Sequence, residues 1–94
     1  MNLNEEQLKC VESMAYLLLP PKICALNLEV DEIDFLEEIR NRESLLYKAY
    51  HLGYVKQLVE SRTAIIKAAR NGSNPAQAEL LKYFAEVERH LKYE

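Results

Sequence analysis

The side chains in this sequence that could perform catalysis or hold a metal do not stand at the spacings that these tasks require. His51 and His90 each lack a sequence neighbour suited to metal or nucleophile chemistry. Cys10 and Cys24 form no CxxC pair and have no histidine near them in sequence, so a zinc site is not predicted. There is no Ser/His/Asp arrangement, glycine-rich phosphate loop or lysine-centred nucleotide motif. The sequence therefore predicts a protein without catalytic residues, metal or cofactor, and not an enzyme.

Basic side chains at helical spacing indicate a different chemistry, the binding of phosphates. Lys56, Lys67 and Arg70 fall on one face of a predicted helix and could follow the backbone of duplex DNA. A solvated helix face is the more frequent reason for such a pattern. The DNA-binding candidates are these three residues and three others near predicted helix ends, Lys22, Arg40 and Arg42.

Three tyrosines offer a second binding chemistry. Tyr47, Tyr50 and Tyr54 lie three and four residues apart, so their rings could form a platform on which bases stack. The more common arrangement buries part of each ring and leaves the hydroxyl in water. Both interpretations stay open on the sequence alone.

These side chains must be positioned by helices. The chain has 94 residues, 49% of them hydrophobic, which suits one small domain with a modest core. Its two glycines and three prolines allow few turns. Apolar residues recur three and four positions apart, without the sustained alternation of a strand. The sequence predicts an all-α protein with helices near 4–18, 21–28, 31–40, 43–70 and 75–92.

The longest predicted helix changes the face that it buries. In its first half, Leu45 and Leu52 are expected to face inward together with Leu46. In its second half the apolar arc lies about a third of a turn away. Gly53 stands at the changeover, where a bend and close packing against a neighbouring helix are equally good explanations.

Capping residues and glycine mark the helix ends. Asn4 is expected to begin the first helix, with Gln7 completing a capping box. The other expected caps are Asp31, Asn41 or Ser44, and Asn74 with Pro75 and Gln77, and Gly72 closes the long helix.

The turn after the long helix is so short that the last helix must fold back against its second half. The resulting antiparallel hairpin has two broad sides, which one chain of this length cannot cover while also packing its N-terminal part. We therefore expect a homo-oligomer, with a dimer as the default. The oligomerisation candidates are Leu58, Ile65, Ile66, Leu80, Phe84, Val87 and Leu91.

Three runs of residues resemble DNA-binding proteins. The run CALNLEV at residues 24–30 resembles the I-A-x-x-L-x-V core of bacterial and phage helix-turn-helix domains, where Ala25 would let two helices cross closely. The runs KAYHLG at residues 48–53 and AARNGSNPA at residues 68–76 are similar to phage terminase small subunits and related prophage DNA-binding proteins.

The terminase resemblance implies recognition of viral DNA for packaging, ring-like assembly through the hairpin, and delivery of double-stranded DNA to a large terminase ATPase. It divides the chain into a helix-turn-helix-like unit at residues 1–43 and a long-helix hairpin for oligomerisation at residues 44–94.

The distribution of charge favours another partner. Residues 1–43 have a charge balance of −6 and residues 44–94 a balance of +3. The predicted third helix begins DEIDFLEE at Asp31, and in the usual major-groove pose its carboxylates would face phosphates. The alternative function is therefore a helical adaptor whose acidic surface binds a basic protein partner.

The sequence predicts no contact with a membrane. No apolar run reaches the length of about 18 residues that a membrane-spanning helix needs, and the polar, acidic start argues against a signal peptide. Cys10 and Cys24 resemble reduced core residues, so we expect a cytoplasmic protein.

Overall fold

The structure, a computed structural model, describes residues 1–93 of the chain. The regular structure within this range is helical and contains no strand, which confirms the predicted all-α class. The first helix ends earlier than predicted. The helices are α1 (Glu5–Tyr16), α2 (Pro21–Leu28), α3 (Glu32–Arg40), α4 (Leu45–Arg70) and α5 (Asn74–Tyr93).

The chain forms two compact units. The first comprises Met1–Leu58, and the second begins at Val59. Helix α4 starts in the first unit and ends in the second. The three short helices therefore share a unit with the first half of α4, and α5 shares a unit with its second half.

The core of the first unit receives side chains from all four of its helical segments. Phe35, Val11 and Cys24 are the largest side chains that are fully buried. The small Ala25 is also buried, as expected if it allows two helices to approach. Further members of this core are Met14, Ile39 and Leu46, with Leu3, Leu8, Cys10, Leu19, Leu28, Val30, Ala49 and Tyr50 packed around it.

Helix α4 approaches α1 very closely at Gly53. A Cβ atom at this position would overlap the carbonyl oxygen of Glu12 and lie 3.0 Å from the Cβ of Ala15. Nearby, the Gln57 Nε2 donates to the carbonyl oxygen of Tyr16 at 2.7 Å, at the end of α1. Gly53 is therefore a point of close helix packing, the second of the two explanations that the sequence left open.

Helix α1 and the first half of α4 run in the same direction. Leu8 and Leu46, near the starts of the two helices, line one groove. Ala15, near the end of α1, lies against Gly53 farther along α4. Because both helices run the same way, α2 and α3 must carry the chain back from the end of α1 to the start of α4.

The buried hydroxyl of Ser44 joins α3 to α4. It donates to the carbonyl oxygen of Glu38 at 2.8 Å and accepts from the N–H of Tyr47 at 3.0 Å. Ser44, and not Asn41, is therefore the cap of α4. The Asn41 side chain instead accepts from the N–H of Glu43 within the turn, at 3.0 Å.

The predicted caps of the first and third helices are confirmed. The Asn4 side chain accepts from the N–H of Gln7 at 2.7 Å, and the Gln7 side chain accepts from the N–H of Asn4 at 2.9 Å. The Asp31 carboxylate accepts from the N–H of Asp34 at 2.9 Å. Each bond satisfies a donor that the first turn of a helix leaves free.

Three helices end on a residue in the left-handed conformation. Leu18, Glu29 and Gly72 have φ angles of 63°, 57° and 96°. In each case the next N–H donates to a carbonyl oxygen five residues earlier, as in the bond from Ser73 to Ala68. This pattern gives hydrogen-bond donors to carbonyl groups of the last turn that would otherwise have no partner. The prediction that Gly72 closes the long helix is confirmed.

In the second unit, the predicted capping box at the start of the last helix is wrong. Ser73 caps α5, because the N–H of Ala76 points to its hydroxyl oxygen at 3.4 Å. Asn74 is already the first helical residue. The Gln77 side chain crosses the turn and donates to the carbonyl oxygen of Ala69 at 3.1 Å, so it satisfies the end of α4 instead.

Helix α5 folds back against the second half of α4. Pairs of bonded residues lie on both sides of the turn: Gln77 with Ala69, and Glu86 with Arg62 at 3.1 Å. This pairing is what an antiparallel hairpin requires, and it is consistent with the predicted one.

The expected burial of Leu45 and Leu52 is wrong. Their side chains are 65% and 48% exposed, whereas Leu46 is 2% exposed. The face of α4 that meets the core carries Leu46 and Gly53, and each exposed leucine lies one residue earlier, about 100° around the helix. The periodicity was therefore correct, but its arc was centred too far to one side.

Replacing Gly53 with alanine should destabilise the first unit. Alanine is the better helix former by about 1 kcal/mol, but its methyl group would overlap backbone atoms of α1, and such overpacking costs about 3 kcal/mol. We expect a net loss of about 2 kcal/mol in the free energy of unfolding, measured by urea denaturation and circular dichroism. Ala64→Gly, exposed on the same helix, measures the propensity difference alone. A Gly53→Ala variant as stable as the parent would contradict the close approach.

Replacing Ser44 with alanine should remove both hydrogen bonds of its hydroxyl. The loss of a cap and of a buried bond together should cost about 1–2 kcal/mol of the free energy of unfolding. Thermal unfolding followed by circular dichroism measures this loss. Ser13→Ala, an exposed change in α1, should stay within about 0.5 kcal/mol. Equal effects of the two changes would argue against the bridging role of Ser44.

Candidate functional site

Two of the six DNA-binding candidates are engaged by carboxylates of the first unit. Lys22 Nζ lies 3.8 Å from the carboxylate of Glu32, and Lys56 Nζ lies 3.0 Å from that of Glu12. Both lysine side chains are more than half exposed, so these pairs contribute little to stability. A phosphate would nevertheless have to compete with a carboxylate for each ammonium group.

Arg40 and Arg42 are the more accessible cations of the first unit. Arg40 is the last residue of α3, and Arg42 lies in the turn before α4. Both are exposed, and within residues 1–93 neither forms an ion pair. Their guanidinium groups are therefore available to an anion from solution.

Lys67 and Arg70 occupy the last turn of α4, in the second unit. Both side chains are exposed, and no carboxylate of the described chain pairs with either. Cations at this end of a helix are favoured by the helix dipole. The stabilising role and a phosphate-binding role are compatible, because the dipole does not occupy the hydrogen-bond donors.

Helix α3 carries carboxylates on its exposed side, whereas a helix that reads DNA carries hydrogen-bond donors that contact the bases. Its exposed side chains include Glu32, Asp34 and Glu37. Ile33 stands among them and is 68% exposed. An apolar side chain surrounded by carboxylates is a poor surface for DNA and a good one for a basic protein segment.

The second unit leaves a broad apolar face of α5 uncovered. Phe84, Val87 and Leu91 are 58%, 50% and 75% exposed, and the adjacent Leu81 is 70% exposed. Three of these four were predicted as oligomerisation candidates, and Leu81 was missed because it stands at the edge of the arc. The remaining candidates, Leu58, Ile65, Ile66 and Leu80, are half-buried within the described chain.

The inner side of the hairpin is held by an arginine that sequence reasoning did not identify. The Arg62 guanidinium donates to the Glu86 carboxylate at 3.1 Å and lies 4.2 Å from the centre of the Tyr83 ring. Its Nε is buried and has no hydrogen-bond partner among the described atoms. Arg62 of α4 thereby contacts both Tyr83 and Glu86 of α5.

An open groove lies at the surface of the first unit, where α2, α3 and α4 meet. The His51 ring stacks on that of Tyr47, with 3.8 Å between ring centres and an angle of 26°. The Tyr50 ring meets His51 edge-on, at 5.9 Å. Its hydroxyl donates to the carbonyl oxygen of Leu19 at 2.8 Å. The groove is lined by Pro21, Leu36, Ile39, Arg40, Tyr47, Tyr50 and His51.

The structure thus separates the three tyrosines that the sequence grouped together. Tyr47 and Tyr50 line the groove, and Tyr54 does not. His51 and Arg40 also line the groove, but the spacing of three and four residues that grouped the tyrosines did not include them. Their signal was positional, since the end of the third helix and the start of the fourth are neighbours across a short turn.

Burial perturbs two titratable groups of the first unit. Desolvation raises the pKa of the Cys24 thiol, and the nearby Cys10 raises it further. Desolvation also raises the pKa of the Tyr50 hydroxyl, with smaller contributions from Cys24 and Tyr54. A buried thiol with a raised pKa is a poor nucleophile. Both cysteines are free, and they occupy the core positions that the sequence predicted.

Within residues 1–93, no group of three or more His, Cys, Asp or Glu side chains is placed to hold a metal ion. None of the helices described is both long and apolar enough to pass through a membrane. Compared with protein-family models, curated proteins and solved structures, the chain matches none.

Proposed function

We propose that the protein is a non-catalytic, self-associating DNA-binding protein, similar in task to the terminase small subunits that its sequence resembles. It contacts duplex DNA through exposed cations near helix ends and not through the acidic α3. Several copies act together, because one copy carries too few free cations to hold DNA by itself.

The observation that carries this proposal is the uncovered apolar face of α5. Phe84, Val87 and Leu91 recur at spacings of three and four residues, so they form one stripe along the helix. Exposed apolar stripes of this kind on a folded chain mark interaction surfaces. A second copy of the same chain offers the same stripe, which makes a symmetric pairing of α5 helices the simplest way to cover it.

The energetics of this pairing are adequate. Covering the exposed part of Leu81, Phe84, Val87 and Leu91 contributes about 1–2 kcal/mol per side chain, so two copies together gain roughly 8–16 kcal/mol. Association itself costs at least about 4 kcal/mol. The apolar gain exceeds this lowest cost by roughly 4–12 kcal/mol.

Self-association would also compensate for the unfavourable net charge of the chain. The net charge of −3 opposes binding to DNA. The cations without carboxylate partners among the DNA-binding candidates are Arg40, Arg42, Lys67 and Arg70. When copies are linked, contacts made after the first benefit from a high effective concentration, so weak individual contacts add up to stable binding.

Replacing Phe84 and Leu91 with aspartate should convert the assembly into monomers. The carboxylates would be desolvated in the proposed interface without partners, which costs several kcal/mol. Sedimentation velocity at micromolar concentration measures the change, and the helical content by circular dichroism shows whether the fold persists. Ala85→Asp is the matched control, because Ala85 is exposed on α5 about 100° away from Phe84. A monomeric parent protein at this concentration would contradict the proposal.

Replacing Lys67 and Arg70 together with glutamine should weaken binding to a mixed-sequence duplex. Each lost phosphate contact should reduce the slope of log affinity against log salt concentration by about 0.9. Fluorescence anisotropy over a range of salt concentrations measures the slope. The control variant replaces Lys9 and Lys82, which already pair with Glu5 and Glu79, and removes the same charge. Equal effects of the two variants would indicate a non-specific influence of net charge.

A second candidate function is favoured by the exposed Ile33 and the carboxylates around it. In this alternative, α3 binds a basic segment of another protein, and the helix-turn-helix-like arrangement serves only as a scaffold. Replacing Asp34 and Glu37 with their amides separates the two functions. The change should strengthen DNA binding if DNA lies nearby, because it removes repulsion. Parent protein that fails to bind duplex DNA at about 50 mM salt would favour the protein partner.

A further inference from the structure

We propose that the groove between α2, α3 and α4 of the first unit binds an unpaired nucleotide of single-stranded DNA. The base stacks on the exposed ring of His51, which itself stacks on Tyr47, and the phosphate lies against Arg40. The proposal rests on the proposed DNA-binding function for the kind of ligand. It adds a second form of DNA and a site that shares only Arg40 with the proposed duplex contacts.

The stacking surface is already assembled. His51 is exposed, and its ring is fixed by the stack on Tyr47 and by the edge contact with Tyr50. The His51 Nδ1 lies 2.9 Å from the carbonyl oxygen of Tyr47, which can only accept, so Nδ1 carries the proton in this bond. In the neutral ring the Nε2 then carries a lone pair that can accept a hydrogen bond from a ligand.

Positive charge lies in the same groove as the rings. Arg40 lines the groove and, within the described chain, has no carboxylate partner. Pro21, which begins α2, lines it as well. An anion with an attached planar ring could therefore contact both Arg40 and the aromatic rings of the groove.

The groove differs in charge from its surroundings. The first unit has an excess of carboxylates, but the residues that line this groove include none. Four other grooves of the same unit each include at least one, for example Glu38 beside Leu46 and Glu12 beside Tyr16. The contrast indicates an anionic ligand in this groove, whereas a basic peptide would be drawn to the others.

The ligand must be an unpaired nucleotide. A base inside a duplex has both faces covered by its neighbours and cannot stack on a protein ring without leaving the helix. Single strands leave these faces open, and stacking on aromatic side chains tolerates any base sequence. We therefore expect binding without strong sequence preference, at a strand end or another unpaired stretch.

Anisotropy of a labelled oligothymidylate of 20 nucleotides, with full-length protein at about 50 mM salt, tests the proposal. His51→Ala and Arg40→Gln should each weaken binding about five- to tenfold or more, the range that loss of one stacked base produces. Tyr54→Ala and Lys48→Gln are matched controls, since both residues are exposed on the same helix outside the groove. Controls should stay within about twofold of the parent. Equal losses in all four variants would overturn the proposal.

Proton NMR provides a second, internal control. The chain has two histidines, His51 and His90. Addition of oligothymidylate should shift the ring protons of His51 through the ring current of the stacked base and leave those of His90 nearly unchanged. Comparable shifts of both histidines, or of neither, would contradict binding in the groove.

The outcomes also separate this site from duplex binding. His51→Ala leaves the formal net charge of the protein unchanged. It should therefore leave the affinity for duplex DNA unaltered and weaken the affinity for single-stranded DNA. Retained duplex binding without single-strand binding would overturn the groove proposal alone. Single-strand binding that depends on His51, without duplex binding, would overturn the duplex function and keep the groove.

Discussion

The close contact between α1 and α4 at Gly53 is the constraint on which the first unit depends. Glycine allows the two backbones to approach without side chains between them. Since the two helices run in the same direction, the chain must return through α2 and α3, and these helices close the core around Phe35. The same return brings the end of α3 beside the start of α4, where His51 and Arg40 meet. The groove is thus a consequence of the parallel helix contact.

Acidic, basic and apolar side chains lie on different parts of the surface, a distribution that the overall composition does not show. Carboxylates cover α3, while the DNA-binding candidates that have no carboxylate partner within residues 1–93 lie at helix ends and in the turn before α4. In the proposed function, a single copy would bind DNA weakly and several linked copies would bind it more stably. The apolar stripe of α5 supplies the surface through which copies can associate. DNA binding and self-association thus belong to one proposal, but each is tested by its own measurement.

The second unit has an inner side more polar than its sequence pattern indicates. Arg62 of α4 reaches the ring of Tyr83 and the carboxylate of Glu86 on α5. The stem of an arginine covers apolar surface while its head keeps hydrogen bonds. Phe84, Val87 and Leu91 of α5 remain exposed.

The sequence by itself determined the helical class, the five helices, and the ends marked by Asn4, Asp31 and Gly72, because these are local effects of periodicity and capping. It could not show that Leu18 and Glu29 adopt the left-handed conformation, since among these residues only glycine is a sequence signal for that conformation. Burial on α4 was decided by the tertiary structure, because a shift of one residue moves a side chain about 100° around the helix. Arg40 and His51 stand close in the sequence, but only the packing of α2, α3 and α4 placed them in one groove.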